Sequence, residues 1–188
     1  MSVAESTGVP DVRRPRRADA ARNYDALIDA GRTAFAEHGS GAALEDVARR
    51  AGVGIGTLYR NFPTRDDLIE ALYVREVVAL AEAGQELQSL SPREGLDGWL
   101  ARFVQYIGTK RALVEGLTRD SDVMAQCRAT MYASGEPLLT RAQESGDADP
   151  DLTISDVVRL VAGVTAAAYE NDAQRDRVLA AALRGIHR

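Results

Sequence analysis

Residues 44–68 read Leu44-Glu45-Asp46-Val47-Ala48-Arg49-Arg50-Ala51-Gly52-Val53-Gly54-Ile55-Gly56-Thr57-Leu58-Tyr59-Arg60-Asn61-Phe62-Pro63-Thr64-Arg65-Asp66-Asp67-Leu68. Leu44, Val47, Ala48 and Ala51 recur at helical spacing, which predicts a short helix over 44–51. Gly52 ends it, as a left-handed C-terminal cap would. A second short helix is predicted over 55–61 and must stop before Pro63, which lacks the amide proton a helix interior needs. Two short helices joined by a tight glycine-containing turn form a helix-turn-helix unit. Thr64 then caps a third segment, with Asp66 and Asp67 placed where the helix dipole favours negative charge.

Upstream, Tyr24, Leu27, Ile28, Gly31, Ala34, Phe35 and His38 share one helical face. They predict an amphipathic helix over 21–38 that closes at Gly39, with His38 at a C-terminal position that suits a cation. Residues 1–20 are polar, contain Gly8, Pro10 and Pro15, and read as a flexible arm. The arm carries Arg13, Arg14, Arg16 and Arg17, with Arg22 following. Either it neutralises phosphates or enters a minor groove, or it is a solvated tail. Downstream, helices are expected over 65–88, 92–108, 110–118, 120–145, 153–169 and 172–187, with Ser91-Pro92 starting the second. The sequence thus predicts an all-α chain of about nine helices. A three-helix helix-turn-helix domain over 21–65 precedes a helical domain over 66–188.

Composition narrows the function. Of 188 residues, 45% are hydrophobic, so a core can form without disulfide or metal support. One cysteine, Cys127, and two histidines leave no metal-ligand pattern, and no metal or cofactor is expected. The absence of a long apolar run or a secretory leader points to a cytoplasmic protein with no membrane partner. The net charge of −5 is unevenly spread: residues 1–65 carry ten Arg against eight Asp or Glu, and the acidic excess lies behind them. A front end that tolerates phosphate and a back end that does not is the reading this favours. Lys110 is the only lysine, but the arginine and alanine excess runs through both parts and fits a GC-rich genome better than phosphate recognition.

Within the motif, Val47, Ala48, Val53, Leu58 and Phe62 are the apolar residues expected to lock the short helices onto the first. The outer face of the second keeps Gly54, Gly56, Thr57, Tyr59, Arg60 and Asn61. Gly56 lets a backbone approach phosphate closely. Thr57 and Tyr59 can donate to phosphate oxygens, which sets register. Arg60 and Asn61 have the bidentate geometry for guanine and adenine edges. Ile55 either touches a thymine methyl or is core.

These residues resemble the TetR family of transcriptional regulators. The family pattern runs through Phe35 to Gly39, Val47 to Val53 and Gly56 to Phe62, and ends in a basic residue, here Arg65. The match covers residues 22–73. The wording from Val53 to Arg65 also resembles the subgroup with an SbtR-like C-terminal domain. The resemblance implies that Tyr59 is chiefly a backbone contact and that Arg65 clamps a phosphate at a helix start. Two departures stand out: Ala43 and Gly54 occupy places where the family often has a Ser or Thr cap.

The resemblance further implies a ligand cavity and a dimer interface in the remaining helices. Trp99, Phe103, Tyr106 and Ile107 share a face by spacing, and Met124, Cys127, Met131 and Tyr132 are candidates for a second wall. Such stripes are also ordinary core. For the interface, Val157, Leu160, Val161, Val164 and Ala168 make one stripe and Leu179, Leu183 and Ile186 another, unless they close only their own subunit. A homodimer would set two recognition helices about 34–36 Å apart on a palindromic double-stranded DNA operator. The expected function is a repressor released by an unknown small-molecule effector; control by a protein partner, or activation, is the alternative. An enzyme is not expected, since there is no phosphate-cradling loop, nucleophile elbow or zinc motif. The neighbouring carboxylates Glu45-Asp46 and Asp66-Asp67 do not face one another on a helix.

Overall fold

The computed structural model describes residues 14–113 and 122–188. Among them are eight α-helices and no strand. In chain order they are α1 (Ala18–His38), α2 (Leu44–Arg50), α3 (Ile55–Asn61), α4 (Arg65–Leu87), α5 (Pro92–Leu113), α6 (Asp122–Glu144), α7 (Ile154–Ala166) and α8 (Asp172–Arg184), with a single 3-10 turn over Gly39–Gly41. The separate helix expected over 110–118 is a correction: residues 110–113 continue α5, because nothing at 108–110 removes a backbone donor. The rest of that segment lies outside the described residues. α1 begins at Ala18, so residues 18–20 of the expected arm are helical.

The chain divides into two compact units. The first holds residues up to 76 together with 109–127. Its core is built where α1, α2, α3 and the start of α4 meet, from Leu27, Phe35, Val47, Leu58, Phe62 and Leu68 among others. Tyr24 packs against Phe62 with ring centroids 5.1 Å apart. Gly31 lets α4 come close, since a Cβ there would stand 3.2 Å from Leu72 Cδ1.

The second unit comprises residues 77–108 and 128–188. Arg141 donates to the carbonyls of Gln88 and Leu90, satisfying acceptors exposed where α4 ends. Thr153 and Asp156 form a reciprocal capping box that starts α7, and the Asn171 side chain accepts from Gln174 N to start α8. After α8, Asp149 N donates to the Ile186 carbonyl, and His187 reaches Asp97 at 2.7 Å, which ties this segment to α5.

A candidate DNA-binding surface

α2 ends as its sequence predicts. Gly52 takes φ +69, and the Val53 amide donates back to the Ala48 carbonyl at 3.0 Å, so the chain reverses within three residues. Val47, Leu58 and Phe62 are buried in the shared core, and Ala51 and Val53 pack against it. Gly54 precedes α3, and its carbonyl accepts from Thr57 N at 2.8 Å with no side-chain cap. Ala43 likewise starts α2 with no side-chain cap. The missing caps at both places are real, and packing holds the helices instead.

With its inner side locked, α3 presents an outer face of Gly54, Ile55, Gly56, Tyr59 and Arg60, all exposed. Tyr59 is 46% exposed and Ile55 38%. Ile55 is therefore not core. A short helix showing a large aromatic, a branched aliphatic and an arginine to solvent is built to meet a surface. Thr57 is half-buried. Asn61 donates from Nδ2 to the Thr57 carbonyl at 2.8 Å, which turns its amide back along the helix.

Several arginines are committed to ion pairs within the unit. Arg50 bridges Glu37 on α1 and Asp46 on α2, each at 2.6 Å. The Arg50 hydrogen bond holds the Glu37 carboxyl below its usual range. Desolvation pushes Asp46 upward, but Arg50 and Arg49 outweigh it and leave its pKa lowered. In the arm, Arg14 forms a two-bonded pair with Asp25 at 2.9 and 2.5 Å, and this hydrogen bond lowers the Asp25 carboxyl. Arg16 and Arg17 are exposed. Arg13 lies outside the described residues.

Arg65 stands at the start of α4, as expected, and its side chain is engaged within the protein. Its Nη1 donates to the Ala42 carbonyl at 2.7 Å and its Nη2 to the Ser40 carbonyl at 2.5 Å, and it lies 4.9 Å from the Phe35 ring centroid. Nothing in residues 60–68 signals those partners, which stand more than twenty positions upstream. Thr64 and Asp67 make the expected cap: Asp67 N donates to Thr64 Oγ1 at 3.1 Å, and Thr64 N donates to Asp67 Oδ2 at 2.8 Å.

Comparison with known proteins agrees with this geometry. Residues 27–72 match the family described as bacterial regulatory proteins, tetR family. Residues 91–188 match that described as transcriptional regulator SbtR-like, C-terminal domain. The TetR transcriptional regulator SCO0520 of Streptomyces coelicolor is 34% identical over 87% of this chain and 98% of its own, with a TM-score of 0.71. The chain belongs to the TetR family of DNA-binding transcriptional regulators. A TetR regulatory protein of Mycobacterium vanbaalenii is 28% identical over 93% of this chain and 100% of its own, with a TM-score of 0.72. The HTH-type transcriptional repressor LfrR of Mycolicibacterium smegmatis is 39% identical over 85 residues, which span 45% of this chain and 43% of that repressor.

In this TetR-family chain the back-end residues separate by burial. Trp99, Phe103 and Tyr106 form a buried ladder, with successive ring centroids 5.2 and 5.9 Å apart. Trp99 Nε1 donates to Ser134 Oγ at 3.1 Å, and Ser134 Oγ donates to the Met131 carbonyl at 2.8 Å. Met124, Cys127 and Met131 are buried as well, whereas Tyr132 is half-buried. Trp99 is thus buried with its one donor satisfied. Val157 and Val161 on α7 and Ile186 just after α8 are fully buried in the protomer itself. This corrects their place on an interface stripe: a side chain already covered by its own chain offers no surface to a partner. Leu160 is 39% exposed, Ala168 is exposed, and Val164, Leu179 and Leu183 are half-buried. No helix of the described residues is long and apolar enough to cross a membrane.

Proposed function

We propose that this TetR-family regulator is a homodimeric repressor that reads a palindromic operator through α3 and is released by a small-molecule effector. The observation that carries the DNA reading is the outward face of α3, where Tyr59 and Ile55 stand exposed beside Arg60 while Leu58 on the same helix is fully buried. Gly54 and Gly56 admit close backbone approach, Thr57 and Tyr59 supply hydroxyls to phosphate, and Arg60 reaches base edges, joined by Asn61 once its amide leaves the Thr57 carbonyl. Arg13, Arg14, Arg16 and Arg17 add charge from the arm, with Arg14 anchored on Asp25. The named repressor LfrR among its relatives supports repression.

The dimer is assigned to the outward residues of α7 and α8, Leu160, Val164, Leu179 and Leu183, with Ala168 just beyond α7. A two-fold dimer on a palindromic operator would present two α3 helices to successive major grooves. The effector is assigned to the helical part of the chain behind the helix-turn-helix, with half-buried Tyr132 and buried Met131 of the second unit as its first candidates. Release requires an effector that favours the non-binding conformation by several kcal/mol.

The test is selection of bound duplexes from a random-sequence DNA pool. A two-fold symmetric motif is the expected result. A folded protein that enriches nothing at low salt would overturn the operator reading, and an asymmetric single site would overturn the dimer.

A further inference from the structure

One side chain joins the two ends of the helix-turn-helix. Ser40 and Ala42 lie in the short link between α1 and α2, and their carbonyls accept from Arg65, the first residue of α4. The Arg65 guanidinium also lies against the Phe35 ring at the end of α1. Phe35 and Ala42 are buried. The Thr64–Asp67 cap holds Arg65 in the first turn of α4, so the fork is aimed from a rigid base. α2 has no side-chain cap of its own, so its approach is held largely from outside.

We infer that Arg65 is a positioning residue: it closes residues 40–65 into a ring and so sets how α3 is presented, instead of neutralising a phosphate. The chemistry demands arginine. Two carbonyls and one ring face must be met at once, and a planar fork of donors does this where the single ammonium of lysine cannot. Both hydrogen bonds are charge-assisted, which places them among the stronger ones a side chain makes to a backbone. A tether between the start of α2 and the start of α4 also means that any shift of α4 is felt at α2 directly. The inference rests on the DNA-binding reading only for its effect on binding; the tether itself is a property of the free protein.

The experiment uses the full chain, wild type, Arg65→Lys and Arg65→Ala. Binding is measured on a duplex that the wild type selects from a random pool, and on an unrelated duplex of equal length, over a range of salt. Amide hydrogen exchange at residues 40–47 is followed in the free proteins. Both variants are expected to lose roughly tenfold or more on the selected duplex, as befits lost hydrogen bonds to a charged group. Both should keep their affinity for the unrelated duplex and the wild-type salt slope, and both should exchange faster at 40–47 while melting above the assay temperature. A lysine variant that binds like wild type, beside an alanine variant that loses equally on both duplexes with a slope flatter by about 0.9, would mark a phosphate contact and overturn the inference. Unchanged exchange at 40–47 in both variants would overturn it as well. That arm needs no DNA, so it still decides the tether should the wild type select no duplex.

Discussion

The ring of Trp99 fills the space that a side chain on Gly135 would need. A Cβ at Gly135 would stand 2.7 Å from Trp99 Cζ2 and 2.8 Å from Ile154 Cδ1, distances at which something must move. Trp99 is fully buried and Ile154 nearly so, so neither has room to yield. Gly135→Ala is expected to lose ~1–3 kcal/mol to overpacking, of which ~1 kcal/mol is offset by better helix propensity. Urea denaturation measures the net change. An unchanged or raised midpoint would mean that the indole has space to retreat into, as the wall of a ligand cavity would.

On α3, the two kinds of contact predict different losses. Arg60→Ala should remove ~1–3 kcal/mol of discrimination between operator and random DNA, because a base edge is read by its guanidinium. Tyr59→Phe should weaken both duplexes by similar amounts, since only a phosphate hydroxyl contact is lost. Competition binding at fixed salt separates them. Equal losses on operator and random DNA for Arg60→Ala would remove it from base reading.

Along α7, burial divides neighbouring apolar residues by task. Leu160→Glu puts a charge on an exposed position and should convert a dimer to a monomer with little change in protomer folding. Val157→Ala opens a void in the protomer core and should cost ~1–3 kcal/mol of stability while leaving the dimer intact. Sedimentation velocity and thermal melting together read both. A Leu160→Glu protein that remains dimeric would move the interface elsewhere.

Glu76 on α4 makes stability depend on pH. Its burial raises the carboxyl above the ordinary 4.5, and the nearby charges of Arg32 and Arg75 oppose this without cancelling it. The folded chain therefore binds this proton more tightly than the unfolded chain does. The resulting stabilisation is complete below the unfolded value and is lost as pH rises through the folded one. Glu76→Gln stays neutral throughout, so its stability relative to wild type should climb as pH rises past the ordinary carboxyl value of 4.5. Denaturation curves on either side of that value check the sign; a variant that falls behind the wild type near neutrality would show that the arginines, not burial, dominate the site.

Much of this was legible in the residues. The turn at Gly52, the stop before Pro63, the cap at Thr64 and the inward set Val47, Leu58 and Phe62 all appear where spacing and local chemistry put them. Other features were not. The identity of Ile55 as exposed or core depends on which side of α3 the rest of the core covers. The division of Val157 and Val161 from Leu160 has the same origin: α7 carries apolar residues on more than one side, and periodicity finds a stripe without saying what lies over it. The continuation of α5 past 108 was missed because a glycine weakens a helix but does not end it.

By itself the sequence determined most of the helices, the turn between α2 and α3 and the family, because these depend on backbone geometry and on side chains three or four positions apart. Only the tertiary structure decided that Arg65 is spent on Ser40 and Ala42, that Trp99 leans on Gly135 and Ser134, and that Val157 belongs to its own subunit. Each of those contacts joins residues distant along the chain, and a long side chain selects its partner from whatever packing brings within reach.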